Sequence, residues 1–240
     1  MKKTILSLAI IGMVFALVGA TVAYFRDTET SKGNTMTAGS LDLKIDLHCP
    51  GDGCEITPPR DLYDEPAFFR ECDIKPGDSG EVTISWHVDD NNAWARLRVA
   101  DIYDWENKCN DAEIEAGDTT CGNGYTDGEL SQYLKFIIWL DEGSKSGWQC
   151  GENPACDDDP QEGNNVLDGN ETISYEGTIK QLLDSNGYVF PEEFEASTTY
   201  YVGLRWKLPL ETGNIVQSDS LSGKIIMEVV QSRNNPNPWE

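Results

Sequence analysis

The chain has 240 residues, with 42 Asp and Glu against 18 Lys and Arg and a formal net charge of −24 at pH 7. So negative a surface repels phosphate backbones, which excludes nucleic acid as a partner. An aromatic content of 10% and repeated β-type alternation exclude a disordered acidic tail, and the length suits one domain with its own core.

In chain order, Met1-Lys2-Lys3, an apolar run from Ile5 to Val22 and the small residue Ala23 make the pattern of a secretory signal. Residues 1–23 are expected to be removed by a signal peptidase during export. The product would be secreted, extracellular or on the cell surface, and would touch a membrane only through the leader before cleavage. The apolar run is also close to the roughly 20 residues that span a bilayer, so a retained anchor is the alternative. Residues 24–39 form an N-terminal segment, and 40–240 one domain.

The strand-like segments are Ser40 to Leu47, Glu81 to Val88, Trp94 to Ile102, Leu134 to Leu140, Thr198 to Leu208 and Ser222 to Gln231. In the first, Leu41, Leu43, Ile45 and Leu47 alternate with Asp42, Lys44 and Asp46, the mark of a sheet with one buried and one wet face. Turn chemistry lies between segments, at Lys75-Pro76-Gly77-Asp78 and Asp89-Asp90-Asn91-Asn92. Asp127 to Tyr133 and Thr178 to Asp184 are the two short helical stretches. The predicted class is all-β: a single jelly-roll-like β-sandwich with long loop insertions and one or two short helices.

The insertions, 49–72, 106–128 and 141–169, carry most of the cysteines and many acidic residues. An exported chain can keep disulfides, and Cys49 with Cys54, Cys109 with Cys121, and Cys150 with Cys156 are close enough in sequence to staple these loops. Cys72 is left over: buried and inert, paired with Cys49 or Cys54 instead, or cross-linked to another subunit. No cofactor is required. Asp157, Asp158, Asp159, Glu162 and Asp168 offer the oxygen ligands that calcium prefers, although Glu162 stands where an EF-hand loop needs glycine; a solvated acidic loop is the other reading. Asn170-Glu171-Thr172 is an N-glycosylation sequon.

Catalytic patterns are missing. A zinc protease wants two histidines one helical turn apart with a carboxylate, whereas this chain has only His48 and His87, neither in a helical pair. There is no C-x-x-C, no G-x-S-x-G and no phosphate-binding glycine loop. The chain is therefore not expected to be an enzyme, and no catalytic residue is named.

The stretch from Ala20 through Tyr24-Phe25-Arg26-Asp27-Thr28-Glu29-Thr30-Ser31, followed by Gly33-Asn34-Thr35-Met36-Thr37-Ala38-Gly39-Ser40-Leu41-Asp42-Leu43, resembles the start of camelysin and TasA-like proteins. Lys75-Pro76-Gly77-Asp78-Ser79-Gly80-Glu81 and the closing Trp206-Lys207-Leu208-Pro209, Gln217-Ser218-Asp219-Ser220 and Gln231-Ser232-Arg233-Asn234 extend the likeness, the last two toward archaeal bundling-pilin-like members. The resemblance implies a jelly roll, leader removal, and assembly into fibres or pili of a biofilm matrix. It further implies donor-strand complementation. Tyr24, Phe25, Arg26, Asp27, Thr28, Glu29 and Thr30 would leave their own subunit and add a strand to a neighbour, making a head-to-tail homopolymer whose partner is the chain itself. An exposed sheet edge is a template for such a strand, with Tyr24 and Phe25 as anchors; the alternative is that both fold onto their own domain. Two other functions stay open, a membrane-anchored monomeric binding protein and a secreted camelysin-type metallopeptidase.

Overall fold

A computed structural model describes residues 26–30, 35–36, 43–48, 56–61, 68–69, 71, 73–145, 147–148 and 159–239. The strands are β1 (Arg26–Thr30), β2 (Thr35–Met36), β3 (Leu43–His48), β4 (Ile56–Arg60), β5 (Ser79–Val88), β6 (Ala93–Trp105), β7 (Lys135–Leu140), β8 (Ile173–Thr178), β9 (Tyr188–Val189), β10 (Thr198–Lys207) and β11 (Ser220–Gln231). They form two antiparallel sheets, β2-β1-β11-β6-β9 and β4-β3-β5-β10-β7-β8. The all-β sandwich expected from the alternation is thus the fold. No described helix is long and apolar enough to cross a membrane.

Period-two alternation makes the core. Val82, Ile84, Trp86 and Val88 of β5, Val202, Leu204 and Trp206 of β10, and Phe136 and Ile138 of β7 meet Ala95, Leu97 and Val99 of β6 and Met227 and Val229 of β11 in one apolar cluster. Alternate residues of a strand point to opposite faces, so each sheet sends every second side chain inward. Between the sheets, Trp86 meets Phe190 and Phe194 edge-on, at centroid distances of 5.7 and 5.8 Å, and Phe194 stacks on Tyr200 at 3.9 Å. Edge-to-face and offset geometry adds to the burial of such rings.

The three α-helices among the described residues are single turns or little more. In α1 (Asp111–Ala116), the Asn110 side chain accepts from the Ala112 and Glu113 amides, Glu113 returns a bond to the Asn110 amide, and Gly117 closes the end at φ 96°. Glycine takes that left-handed conformation without a Cβ penalty. The predicted turns over 127–133 and 178–184 are α2 (Leu130–Tyr133) and α3 (Ile179–Asp184); Thr178 and Gln181 form a capping box for the latter. Sequence reading passes over α1 because its apolar residues are too few to show a period, although Asn110 followed by Glu113 is a helix-start signature.

Of the predicted staples, Cys109–Cys121 is a disulfide with Cα atoms 4.8 Å apart. Cys49, Cys54, Cys72, Cys150 and Cys156 lie outside the described residues.

Candidate functional site

The segment Arg26-Asp27-Thr28-Glu29-Thr30 is polar, but its threonines suit an extended backbone. It forms β1 and pairs antiparallel with β11 of the same chain, Arg26 opposite Val230, Asp27 opposite Val229, Thr28 opposite Glu228, Glu29 opposite Met227 and Thr30 opposite Ile226. In the single chain, then, the proposed donor lies on its own sheet. Tyr24 and Phe25 are outside the described residues. Among the described residues, β1 meets the two-residue β2 on its far side, and β1 and β2 together cover an edge that β11 would otherwise present.

Two features of β11 fit it to receive a strand. It runs for twelve residues, and most of its length is laddered to β6, from Ser220 opposite Trp105 to Gln231 opposite Ala93, with a bulge between Ser222 and Lys224. A strand fixed on one side keeps the other side straight and presents its N–H and C=O groups in register. Met227 and Val229 point into the core, while on the other face Glu228 is buried and binds Arg96 and Arg98 of β6.

Of the residues read as a calcium loop, Asp159 and Asp168 accept hydrogen bonds within the chain. Asp159 is buried and accepts from the Ser144 and Lys145 amides at 2.7 Å, the Gln161 amide at 3.1 Å and the Ser144 hydroxyl at 3.1 Å. Burial works against its charge, but the bonds from Lys145, Gln161 and Ser144 outweigh it and hold the carboxyl below its ordinary range. It pins a turn. Asp168 accepts from the Asn164 side chain at 2.9 Å, Glu162 bridges to Glu142 through the backbone, and Asp157 lies outside the described residues. Among the described residues, the groups of His, Cys, Asp or Glu that close to within metal-binding distance do not include Asp159, Glu162 or Asp168. Asn170 is exposed, and its amide nitrogen donates to the Gly143 carbonyl.

The histidines sit on neighbouring strands. The β3–β5 register puts Lys44 opposite His87 and His48 opposite Thr83, so the two are four residues apart along the sheet, about 13 Å. In an H-E-x-x-H helix the same step is about 6 Å. His87 is buried with Nδ1 2.9 Å from the Thr199 hydroxyl.

A group that sequence reading does not single out lies at the other end of β11. Asp104 and Glu106 at the end of β6, Glu113 and Asp118 in the disulfide loop, Glu129 before α2, and Asp219 before β11 bring six carboxylates together. Burial and the neighbouring Asp219, Asp118 and Glu113 push Glu106 up to about 8. Burial also raises Glu129 and Asp219. These residues come from four separate segments, and no spacing in the sequence announces them.

Compared with known proteins, the chain matches no family model and no curated protein.

Proposed function

We propose that this chain is a structural subunit of an extracellular fibre, pilus or biofilm matrix, of the camelysin/TasA-like kind, which assembles by passing its N-terminal strand to the next copy. The observation that carries the reading is the five-residue ladder between β1 and the edge of β11. That ladder is built from main-chain pairing, and the same register can form between two copies once a leader no longer holds the segment. Each backbone hydrogen bond exchanged is replaced by an equivalent one, so the swap costs little in bonding. A donor bound head-to-tail makes a heterologous contact, and a contact of that type that does not close gives a filament. In this reading the chain is secreted, its partners are itself and the signal peptidase that releases it, and the jelly-roll-like sandwich supplies a rigid acceptor.

A cross-link tests the exchange directly. Arg26 and Val230 are directly opposed, and opposed residues in an antiparallel pair have Cα atoms about 4.5–5.5 Å apart, within disulfide range. An Arg26→Cys/Val230→Cys chain oxidised as a monomer should stay monomeric in electron micrographs and light scattering. Mild reductant should then release fibres like those of the wild type treated identically. Fibres of normal length from protein whose intact mass and peptide map prove the intrachain cross-link would sink the proposal.

A further inference from the structure

We infer that the carboxylates at the β6–β11 end form a structural calcium site, with Glu106, Glu129 and Asp219 as its ligands. The inference does not depend on the fibre reading. Glu106 is completely buried, yet neither of its side-chain oxygens meets a hydrogen-bond donor. Glu129 Oε2, Asp219 Oδ1 and Asp104 Oδ1 are buried and lack donors as well. Leaving one buried acceptor unsatisfied costs roughly 1–3 kcal/mol, more when it is charged, so several aimed at one another call for a positive group between them. No Lys or Arg among the described residues pairs with any of the six carboxylates.

In Asp219, Asp104 and Glu129 one carboxylate oxygen is already held, and this aims the other, while both oxygens of Glu106 are open. Asp219 Oδ2 accepts from the Glu129 and Leu130 amides at 2.8 and 3.0 Å, Asp104 Oδ2 accepts from the Ser131 amide at 2.7 Å, and Glu129 Oε1 accepts from the Thr120 hydroxyl. Ligand oxygens of Glu106, Glu129 and Asp219 all lie within 4.8 Å of one another. Two oxygens bound to one calcium ion, each at 2.3–2.6 Å, can be at most about 5 Å apart, so the set can close on a single ion. The second group, Glu106 with Glu113 and Asp118, is less suited. Glu113 already accepts from the Asn110 amide and from the Ser218 amide and hydroxyl. Asp118 Oδ2 lies 3.0 Å from Cys109 Sγ, a contact and not a hydrogen bond, since the disulfide sulfur has no proton.

The donor chemistry selects the ion. An all-oxygen, all-carboxylate set suits a hard cation, while zinc prefers thiolate and imidazole, and the two cysteines here are tied to each other. Magnesium gives up its water reluctantly, and around a fully buried Glu106 most of the shell must come from protein. Glu129 and Asp219 are only partly buried and leave a way in. A proton shared between Glu106 and Asp219 is the competing answer, but one proton satisfies one pair of oxygens and leaves the rest without a donor.

The test uses the full purified chain, stripped with chelator and titrated with calcium chloride. One calcium should bind per chain, and at a hundred times Kd the melting temperature should rise by about 5–10 °C. Terbium should bind competitively with calcium and be sensitised by Trp105, which stands between Asp104 and Glu106 in the sequence and whose ring is 5.8 Å from that of Tyr125. Glu106→Gln should melt above the stripped wild type, because its amide can donate to neighbouring carboxylate oxygens that lack a donor, and should lose at least a hundredfold in calcium affinity. Asp168→Asn should bind as the wild type does. The inference is overturned if calcium leaves the wild-type melting temperature unchanged, if magnesium at the same concentration matches calcium, or if Glu106→Gln responds like the wild type.

Discussion

Glu228 offers the sharpest test of how β11 is held. One oxygen, Oε2, accepts from Arg96 Nε at 2.8 Å, from an Arg96 terminal nitrogen and from Arg98 Nε at 3.0 Å. The Glu228 and Arg96 side chains are 2% and 7% exposed, Arg98 25%, and the Arg96 guanidinium lies over the Trp239 ring at 4.0 Å. Glu228→Gln keeps the shape but removes the charge, leaving two guanidiniums beside a neutral amide. Removing one partner of a buried pair costs about 3–5 kcal/mol because the other charge stays buried. Water reaches Arg98 and screens its share, so a loss of about 3 kcal/mol is expected. For a chain of this size that lowers the melting temperature by about 6–12 °C. Urea unfolding should show a lower midpoint with an unchanged slope. Arg96→Met with Glu228→Leu should recover most of the loss, since well-packed apolar residues often replace a buried pair without penalty. A Glu228→Gln chain within about 0.5 kcal/mol of the wild type would show that the pair holds nothing, and the argument for a stiff acceptor strand would fall with it.

Two further outcomes can be measured on the same protein. Cys109→Ser with Cys121→Ser should lower stability by about 3 kcal/mol, the chain-entropy value for a loop closed across a separation of 12 residues; unchanged urea midpoints would refute it. Burial pushes Asp141 up to about 7 against a weaker opposing bond from Thr83, so the folded chain keeps a proton that the unfolded chain releases. The stability this gives is full below about pH 4 and lost as pH climbs through about 7. In chelator, melting temperatures should accordingly fall over that window for the wild type, and less steeply for Asp141→Asn; equal slopes would count against the shift.

The sandwich is legible because burial and sequence share a period. Leu43 and Ile45, or Val82, Ile84, Trp86 and Val88, alternate in the sequence and are all fully buried. Where strands are peripheral the signal fades: β1 reads as a polar stretch, and β8, with Ile173 at 43% exposure, has no apolar face strong enough to mark it. The acidic residues fail for a different reason. A carboxylate's role depends on the donors around it, which one sequence does not display. Asp159 is surrounded by backbone amides and pins a turn, whereas Glu106, equally acidic and in an equally polar insert, meets no donor.

Strand β11 therefore serves two ends that should behave independently. Asp219 sits just before its first residue, and β1 covers only Ile226 to Val230. Seven residues, about 23 Å of extended chain, separate the carboxylates from the nearest paired position. A cation there would fasten the end of β6 and α2 to the start of β11, while the edge that receives a strand is set by the ladder to β6 and by the Glu228–Arg96 pair. The bulge between Ser222 and Lys224 lies between the two and breaks the register at one point. Chelation should consequently lower the melting temperature of monomer and fibre alike, yet leave strand exchange possible. The Arg26–Val230 cross-link should stop exchange and leave calcium affinity as it was. Failure of either reading is thus visible without the other.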